Sequence, residues 1–334
     1  MAVGSKSRVS PVVRAFLLIG LLFSLSAGCS PGITPIESAS PTVSDRVATF
    51  TGENASIATR AVPEKRSAPT PIKTSTAATE TVDAALETHI PATEALTITI
   101  VYDNNGYDER LKSAWGFSVL VEYRNHLLLF DTGGEGPTLM SNMRILEIDP
   151  TQIESVVLSH AHGDHTGDLS ALLEAGASPV VYLLPSFPDS FKRQVEQFTS
   201  IVEVSPGQSI TEGLFTTGEM ARSTPEQALV IRTEQGLVIV TGCAHPGIVA
   251  MVKQAREMFA EPIRLVLGGF HLGSKSIAEI DAILRDFRRL GVEQVAPCHC
   301  TGERAISMFA AEYGEDFISA GVGRVIRLDV TAPK

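Results

Sequence analysis

The runs VVLS at 156–159 and VVYLL at 180–184 are apolar almost throughout. A strand without a polar face has to be covered on both sides, so each belongs inside a layered fold. Strand-like segments recur around them. LTITIVYD (96–103), FSVLVEY (117–123) and LLLFD (127–131) come first, with Arg124, Asn125 and His126 forming a hairpin turn that exposes His126. ALVIRT (228–233), LVIVTG (237–242), RLVLGG (264–269), QVAPC (294–298) and RVIRLD (324–329) follow. Helical patterns alternate with them at 138–146, 168–175, 248–259 and 303–313. In the clearest, Ile277, Ile280, Ile283, Leu284, Phe287 and Leu290 share one face, with Glu279, Asp281, Arg285 and Arg288 opposite. Residues 96–334 therefore read as one α/β domain.

The chain before residue 96 is a different material. Lys6, Arg8 and Arg14 make a basic start, AFLLIGLLFSL at 15–25 is an apolar run of eleven, and Ser26, Ala27 and Gly28 are a small-residue cleavage site. Eleven residues fall short of the roughly 20 that a membrane-spanning helix needs. Cys29 comes next, so SAGC resembles a bacterial lipoprotein box, and the resemblance implies cleavage before Cys29 and a lipid on its thiol. From residue 30 to 95, 38 of 66 residues are Thr, Ala, Ser or Pro, and Phe50 is the only aromatic. Such a stretch buries too little apolar surface to offset its ordering entropy. The expected organisation is a lipoprotein-type signal peptide at 1–28, a disordered Ser/Thr/Ala/Pro-rich tether at 29–95 and a catalytic domain at 96–334. The expected location is outside the cytoplasm, tethered to a membrane, or secreted or periplasmic without the lipid.

Charge and composition narrow the partners. The chain has 27 Lys and Arg against 38 Asp and Glu, and the first 95 residues are neutral, so the net charge of −11 lies wholly on the domain. Affinity for a phosphate backbone comes from Lys and Arg releasing counterions, which argues against nucleic acid. Aromatics at 6% with one Trp leave little for a stacking surface. Four Cys in 334 residues are too few for a disulfide framework. A small-molecule substrate is expected, and the oligomeric state is not legible.

The strongest chemical signal is His160-Ala161-His162-Gly163-Asp164-His165, directly after VVLS. A strand running into a loop brings His160 and His162 out together, and Gly163 permits the turn that carries Asp164 and His165 beside them. Three imidazoles and a carboxylate in six residues would repel if protonated and go unpaired if buried. Metal ligation satisfies all of them.

HAHGDH after an apolar strand, with LLLFDTGG at 127–134 before it, resembles the metallo-β-lactamase-fold hydrolases across 96–330. The resemblance implies an αββα sandwich, two mixed β-sheets face to face with helices outside. TGCAHPGI (241–248), LGGFHL (267–272) and PCHCTG (297–302) are similar to a subgroup of metallo-hydrolases. That subgroup includes an archaeal dihydropterin-ribofuranosylaminobenzene-phosphate synthase.

Carried over by position, the resemblance makes His160 and His162 ligands of a first metal, and Asp164 and His165 ligands of a second. His245 is expected as the third ligand of the first and His299 as the late ligand of the second. Many relatives have Asp where this chain has Cys243, so a thiolate is a candidate for the second metal. Cys243 and His245 are two apart, and in extended backbone both face one side. His271 is a further candidate, as ligand or as a catalytic group contacting the substrate. Asp131 is expected to orient a ligating His, whose second N–H usually goes to a carboxylate or carbonyl. Glu219 is expected to line the site at most. Cys298 and Cys300 would share one face of an extended segment, opposite His299, and are expected as buried thiols.

Two divalent metal ions are expected, zinc by default for a His-rich site, with manganese or iron as alternatives. The family chemistry is attack by a metal-bridged hydroxide on an ester, lactone, amide or phosphoester, with Asp164 holding the second metal and orienting the nucleophile. The competing readings are a dihydropterin-type synthase or transferase on the same fold, and a metal-binding lipoprotein without catalysis. Loops at 104–114 and 187–193 are expected to select the substrate.

Overall fold

Alternation of apolar side chains along the strands puts one set between two sheets and the other beneath helices. The computed structural model describes residues 95–134, 136–220 and 223–329. The expected signal peptide at 1–28 and the tether at 29–95, but for Ala95, lie outside the described residues.

In chain order, the first half comprises β1 (Ala95–Asp103), β2 (Phe117–Tyr123), β3 (His126–Phe130), α1 (Gly136–Ile145), β4 (Ser155–Val157), α2 (Gly163–Thr166), α3 (Leu169–Glu174), β5 (Val180–Leu183), α4 (Asp189–Val195) and β6 (Ile201–Glu203). The second half comprises β7 (Pro206–Thr211), β8 (Leu214–Gly218), β9 (Leu229–Thr233), β10 (Gly236–Thr241), α5 (Ile248–Phe259), β11 (Ile263–Gly269), α6 (Ile277–Leu290), β12 (Val292–Cys298), α7 (Glu303–Tyr313) and β13 (Val325–Asp329).

One sheet has the order β13-β1-β2-β3-β4-β5-β6, antiparallel up to β3 and parallel from β3 to β6. The other has the order β12-β11-β10-β9-β8-β7, parallel from β10 to β12 and antiparallel elsewhere. Between them Ile98, Ile100, Val119 and Phe130 meet Ile231, Val238, Val240 and Leu265. The outer face of the first sheet packs Leu129, Val156 and Val181 on Leu139, Met143 and Leu172 of α1 and α3. The outer face of the second packs Ile239, Val266 and Val295 on Val252, Ile280, Phe287 and Phe309 of α5, α6 and α7. Helices cover two mixed sheets, the αββα sandwich expected from the sequence.

Capping chemistry bounds α6 at both ends. Ser276 and Glu279 close a capping box at its start, and Gly291 ends it in the left-handed conformation. Ile277, the first residue of the helix, is nonetheless exposed rather than in the apolar stripe.

Some elements escaped the pattern. β7 is an edge strand that begins at Pro206 and leaves several side chains in solvent, so it lacks the apolar signature of the others. The segment 187–193, expected as a substrate loop, instead leads into α4, with Phe187 and Phe191 packed in the core. His126 is not on the turn but opens β3, with Nδ1 2.8 Å from Glu154 Oε2 and Nε2 3.0 Å from Thr211 Oγ1. No helix among the described residues is long and apolar enough to cross a membrane.

Candidate metal centre

Chain segments leaving the ends of β3, β4, β10, β11 and β12 converge, and each delivers polar side chains to one place. After β4, Ser159 and His160 are fully buried. His162 is extended at the start of α2, whose single turn carries Asp164 and His165. His160 Nε2 lies 3.0 Å from His162 Nδ1.

Asp131 follows β3 with a φ of 58°. Its Oδ1 accepts from the Ser159 N–H at 2.7 Å, and its Oδ2 is 2.8 Å from Ser159 Oγ and 2.7 Å from His165 Nδ1. Ser159 Oγ, having given its proton to Asp131, accepts from His160 Nδ1 at 2.8 Å. Asp131 thereby holds the protons of both His160 and His165 on Nδ1, and both Nε2 lone pairs are left for a cation. Ser159 was not singled out in the sequence. Its only signal is its place between the apolar strand and His160.

Cys243 and His245 leave β10 beyond Gly242, where an added Cβ would fall on the Ser159 hydroxyl, so only glycine fits. Both reach the centre, but not through extended backbone as the two-residue spacing suggested. Ala244 between them is left-handed, at a φ of 62°, and the segment wraps around the buried carboxylate of Glu226. Glu226 Oε1 accepts from the N–H groups of Cys243 at 2.9 Å and Ala244 at 2.8 Å, and Oε2 from that of His245 at 2.8 Å. Its neighbour Gln227 donates its backbone N–H to Ser159 O and its side-chain amide to Leu158 O, both at 2.9 Å. Two adjacent residues thus fasten both ligand loops. Sequence reasoning missed them; an acid and an amide directly before an apolar strand was the available sign.

His299 follows β12 with a φ of 49°, and its Nδ1 is 2.9 Å from Asn104 Oδ1. Trp115, the sole tryptophan, lies with its ring 5.0 Å from that of His299 and is 55% exposed, giving the centre an aromatic rim. His271, at a φ of 53°, is exposed with its ring 4.5 Å from that of His245. Asp131, Ala244, His271 and His299 all hold a conformation that costs non-glycine residues about 1–3 kcal/mol, a strain that gathers at functional sites.

Three sets of donor atoms, each lying within 4.8 Å of one another, result among the described residues: Asp164, His165, Cys243 and His299; His160, Cys243 and His245; and Cys243, His271 and Cys300. Cys243 belongs to all three. His162 stands against the second set through His160, with its ring 4.9 Å from that of His245. Cys298 and Cys300 do not share a face. The left-handed turn at His299 breaks the alternation, leaving Cys298 in the core between the sheets and Cys300 with its Sγ 3.6 Å from Cys243 O. Cys300 thereby comes within reach of Cys243 and His271, in a group that could hold a metal ion. Glu219 is in none of the sets; its carboxylate accepts from the Ser186 N–H at 3.1 Å.

The donor set suits divalent metal. Nε2 of His245 and Nε2 of His299 are buried without a hydrogen-bond partner, Asp164 Oδ2 standing 3.5 Å from the latter. An unpaired buried polar atom costs about 1–3 kcal/mol, which a cation in each one's donor set would remove. Burial and the neighbouring imidazoles push His160 well below the usual histidine range and His245 down to about 3, so both offer neutral lone pairs. Burial also pulls on His165, but Asp131 outweighs it and lifts the pKa to about 9, marking a basic ligand. Burial works against ionisation of Asp164, yet His299 and His165 hold it below the usual carboxylate range. Imidazole, thiolate and carboxylate together are the ligands of a borderline-soft ion.

A family model described as the metallo-beta-lactamase superfamily matches residues 116–251. The chain is 29% identical over 280 residues to a 7,8-dihydropterin-6-methyl-4-(beta-D-ribofuranosyl)-aminobenzene-5'-phosphate synthase of Methanocaldococcus jannaschii, a match covering 69% of this chain and 95% of that protein. It is similar to the crystal structure of a metal-dependent hydrolase of the beta-lactamase superfamily, with 30% identity and a TM-score of 0.60 over 70% of this chain and 99% of the other. A metallo-beta-lactamase fold protein from Bacillus subtilis shares the fold at 16% identity and a TM-score of 0.54, over 70% of this chain and 99% of its own.

Proposed function

Because the chain belongs to the metallo-beta-lactamase superfamily, we propose that it is a hydrolase of a small-molecule ester, lactone or phosphoester that works with two divalent metal ions. The observation that carries this reading is the pair of donor sets that share Cys243. His160, His162, His245 and Cys243 would hold one ion, and Asp164, His165, His299 and Cys243 the other. When bound, the ions lower the pKa of water toward neutrality and stabilise charge on the oxygen of the group under attack. Zinc suits the thiolate and imidazoles, with manganese or iron as alternatives.

The chain's own groups supply the rest. Asp131 and Ser159 fix the tautomers of His165 and His160, and Glu226 sets the path of 243–245. Asp164, 3.6 Å from His165 Nε2 and 3.5 Å from His299 Nε2, stays ionised and orients the attacking water. His271, exposed beside His245, would give a proton to the leaving group, a role supported by its ring lying 4.5 Å from that of His245.

Purified protein is expected to hold about two metal equivalents per chain and to cleave members of an ester, lactone and phosphodiester panel. His162→Ala should lower the metal count and abolish turnover. Full activity in that variant after chelation would overturn the mechanism. Two bound metals with no hydrolysis across the panel would favour a synthase, the reading supported by the match to 95% of the archaeal synthase. The basic start, the apolar run and the SAGC box at 26–29 support a location outside the cytoplasm. Radiolabelled palmitate should enter the wild-type chain in a bacterial host and be lost in Cys29→Ala; equal labelling of both would refute the anchor.

A further inference from the structure

We propose that the cavity beside the metal centre binds a small organic anion with a ring-sized apolar body, its charged group held by Lys253 and Lys275. This rests on the hydrolase reading and names the substrate class for it.

The cavity has a volume of about 480 Å³, within the range of small-molecule sites. His245 and His271 form its metal-facing wall. Val249, Phe270, Leu272 and Ile283 supply an apolar surface that fits a flat or branched body. Lys253 and Lys275 also line it. On a domain that carries the entire net charge of −11, no carboxylate is among the lining residues. That local reversal of sign, next to the reacting position, is what concentrates an anionic ligand.

The two lysines are not equivalent. Lys275 Nζ is 3.0 Å from Glu279 Oε1 on α6, a pair half-exposed to solvent and therefore weak. Lys253 on α5 has no ion pair among the described residues, so its charge is available. The first turn of α5 forms a further wall, and its cap, Gly247, has no side chain to close the helix end. The positive end of that helix adds to the lysines in the same direction. A larger cavity of about 620 Å³ lacks this character, because its Arg124 and Arg232 are already paired with Glu212 and Glu261.

The test compares 1-naphthalenesulfonate with neutral 1-naphthalenemethanol on the metal-loaded full chain by titration calorimetry. The sulfonate is expected to bind more tightly than the alcohol. Lys253→Glu with Lys275→Glu should weaken sulfonate binding about 10-fold or more and leave the alcohol within about 2-fold. Val249→Trp, which fills the cavity, should weaken both. Equal binding of the sulfonate to wild type and the lysine variant overturns the proposal, as does failure of wild type to bind it at millimolar concentration. Since binding is read without turnover, a chain that hydrolyses nothing can still uphold the pocket. Hydrolysis of 4-nitrophenyl butyrate and 4-nitrophenyl hemisuccinate with a ratio unchanged by the lysine variant would sink the pocket while sparing the hydrolase.

Discussion

Cys243→Ala is expected to reduce the metal content from about two ions per chain to at most one and to cut turnover by more than about 100-fold, beyond what loss of an outer partner costs. The reason is its membership of both principal donor sets, those with Asp164, His165 and His299 and with His160 and His245. Losing His245 would strip one position; losing the thiol strips both. The measurement is metal analysis after dialysis, paired with the absorption spectrum of the cobalt-loaded protein. Wild type should show a thiolate-to-cobalt band in the near ultraviolet. Cys243→Asp, which puts a carboxylate in place of the thiol, should keep two metals and lose that band. Two tightly held ions in the alanine variant would show that the thiol is not shared.

Glu226→Gln should weaken metal binding about 10- to 100-fold although the residue belongs to no ligand set. A carboxylate accepts at both oxygens, and Glu226 uses both, for three backbone N–H groups of 243–245. An amide has one oxygen, so its NH₂ must face at least one of those donors. In a fully buried site that clash costs about 1–3 kcal/mol and is relieved by moving the segment that carries Cys243 and His245. Burial lifts Glu226 itself to about 7 even against those donors, so the site tolerates the charge only because the loop is wrapped around it. Competition with a chelator measures the affinity, and urea unfolding of the metal-free protein separates it from a global loss of stability. Glu219→Gln serves as the control and should leave affinity unchanged, since Glu219 is outside the ligand sets and bonds Ser186 instead. Equal affinities in wild type and Glu226→Gln would remove Glu226 as a positioning residue.

Features governed by local periodicity were legible in the sequence. The apolar runs became strands, α6 announced its stripe, and HAHGDH places four polar side chains within a strand end and one helical turn. The hydrogen-bond partners were not legible, because they come from remote segments. Asn104 meets His299 across 195 positions, and Glu226 meets Cys243 across 17. Period-two reasoning also failed where the chain turned left-handed. It gave Cys243 and His245 the right destination for the wrong reason, and put Cys298 and Cys300 together when Ala244 and His299 actually redirect the backbone.

By itself, then, the sequence determined the alternating α/β elements and the residue types able to bind metal, since both follow from spacing along a few consecutive residues, while the sandwich was implied by the resemblance of its motifs to a family. Tertiary structure alone decided that Cys243 is common to the candidate ligand sets, that Ser159 and Glu226 join Asp131 in orienting them, and that two lysines face a cavity free of carboxylates on an acidic domain. Those outcomes depend on where strand ends from two sheets meet, and a meeting of distant segments has no period to read.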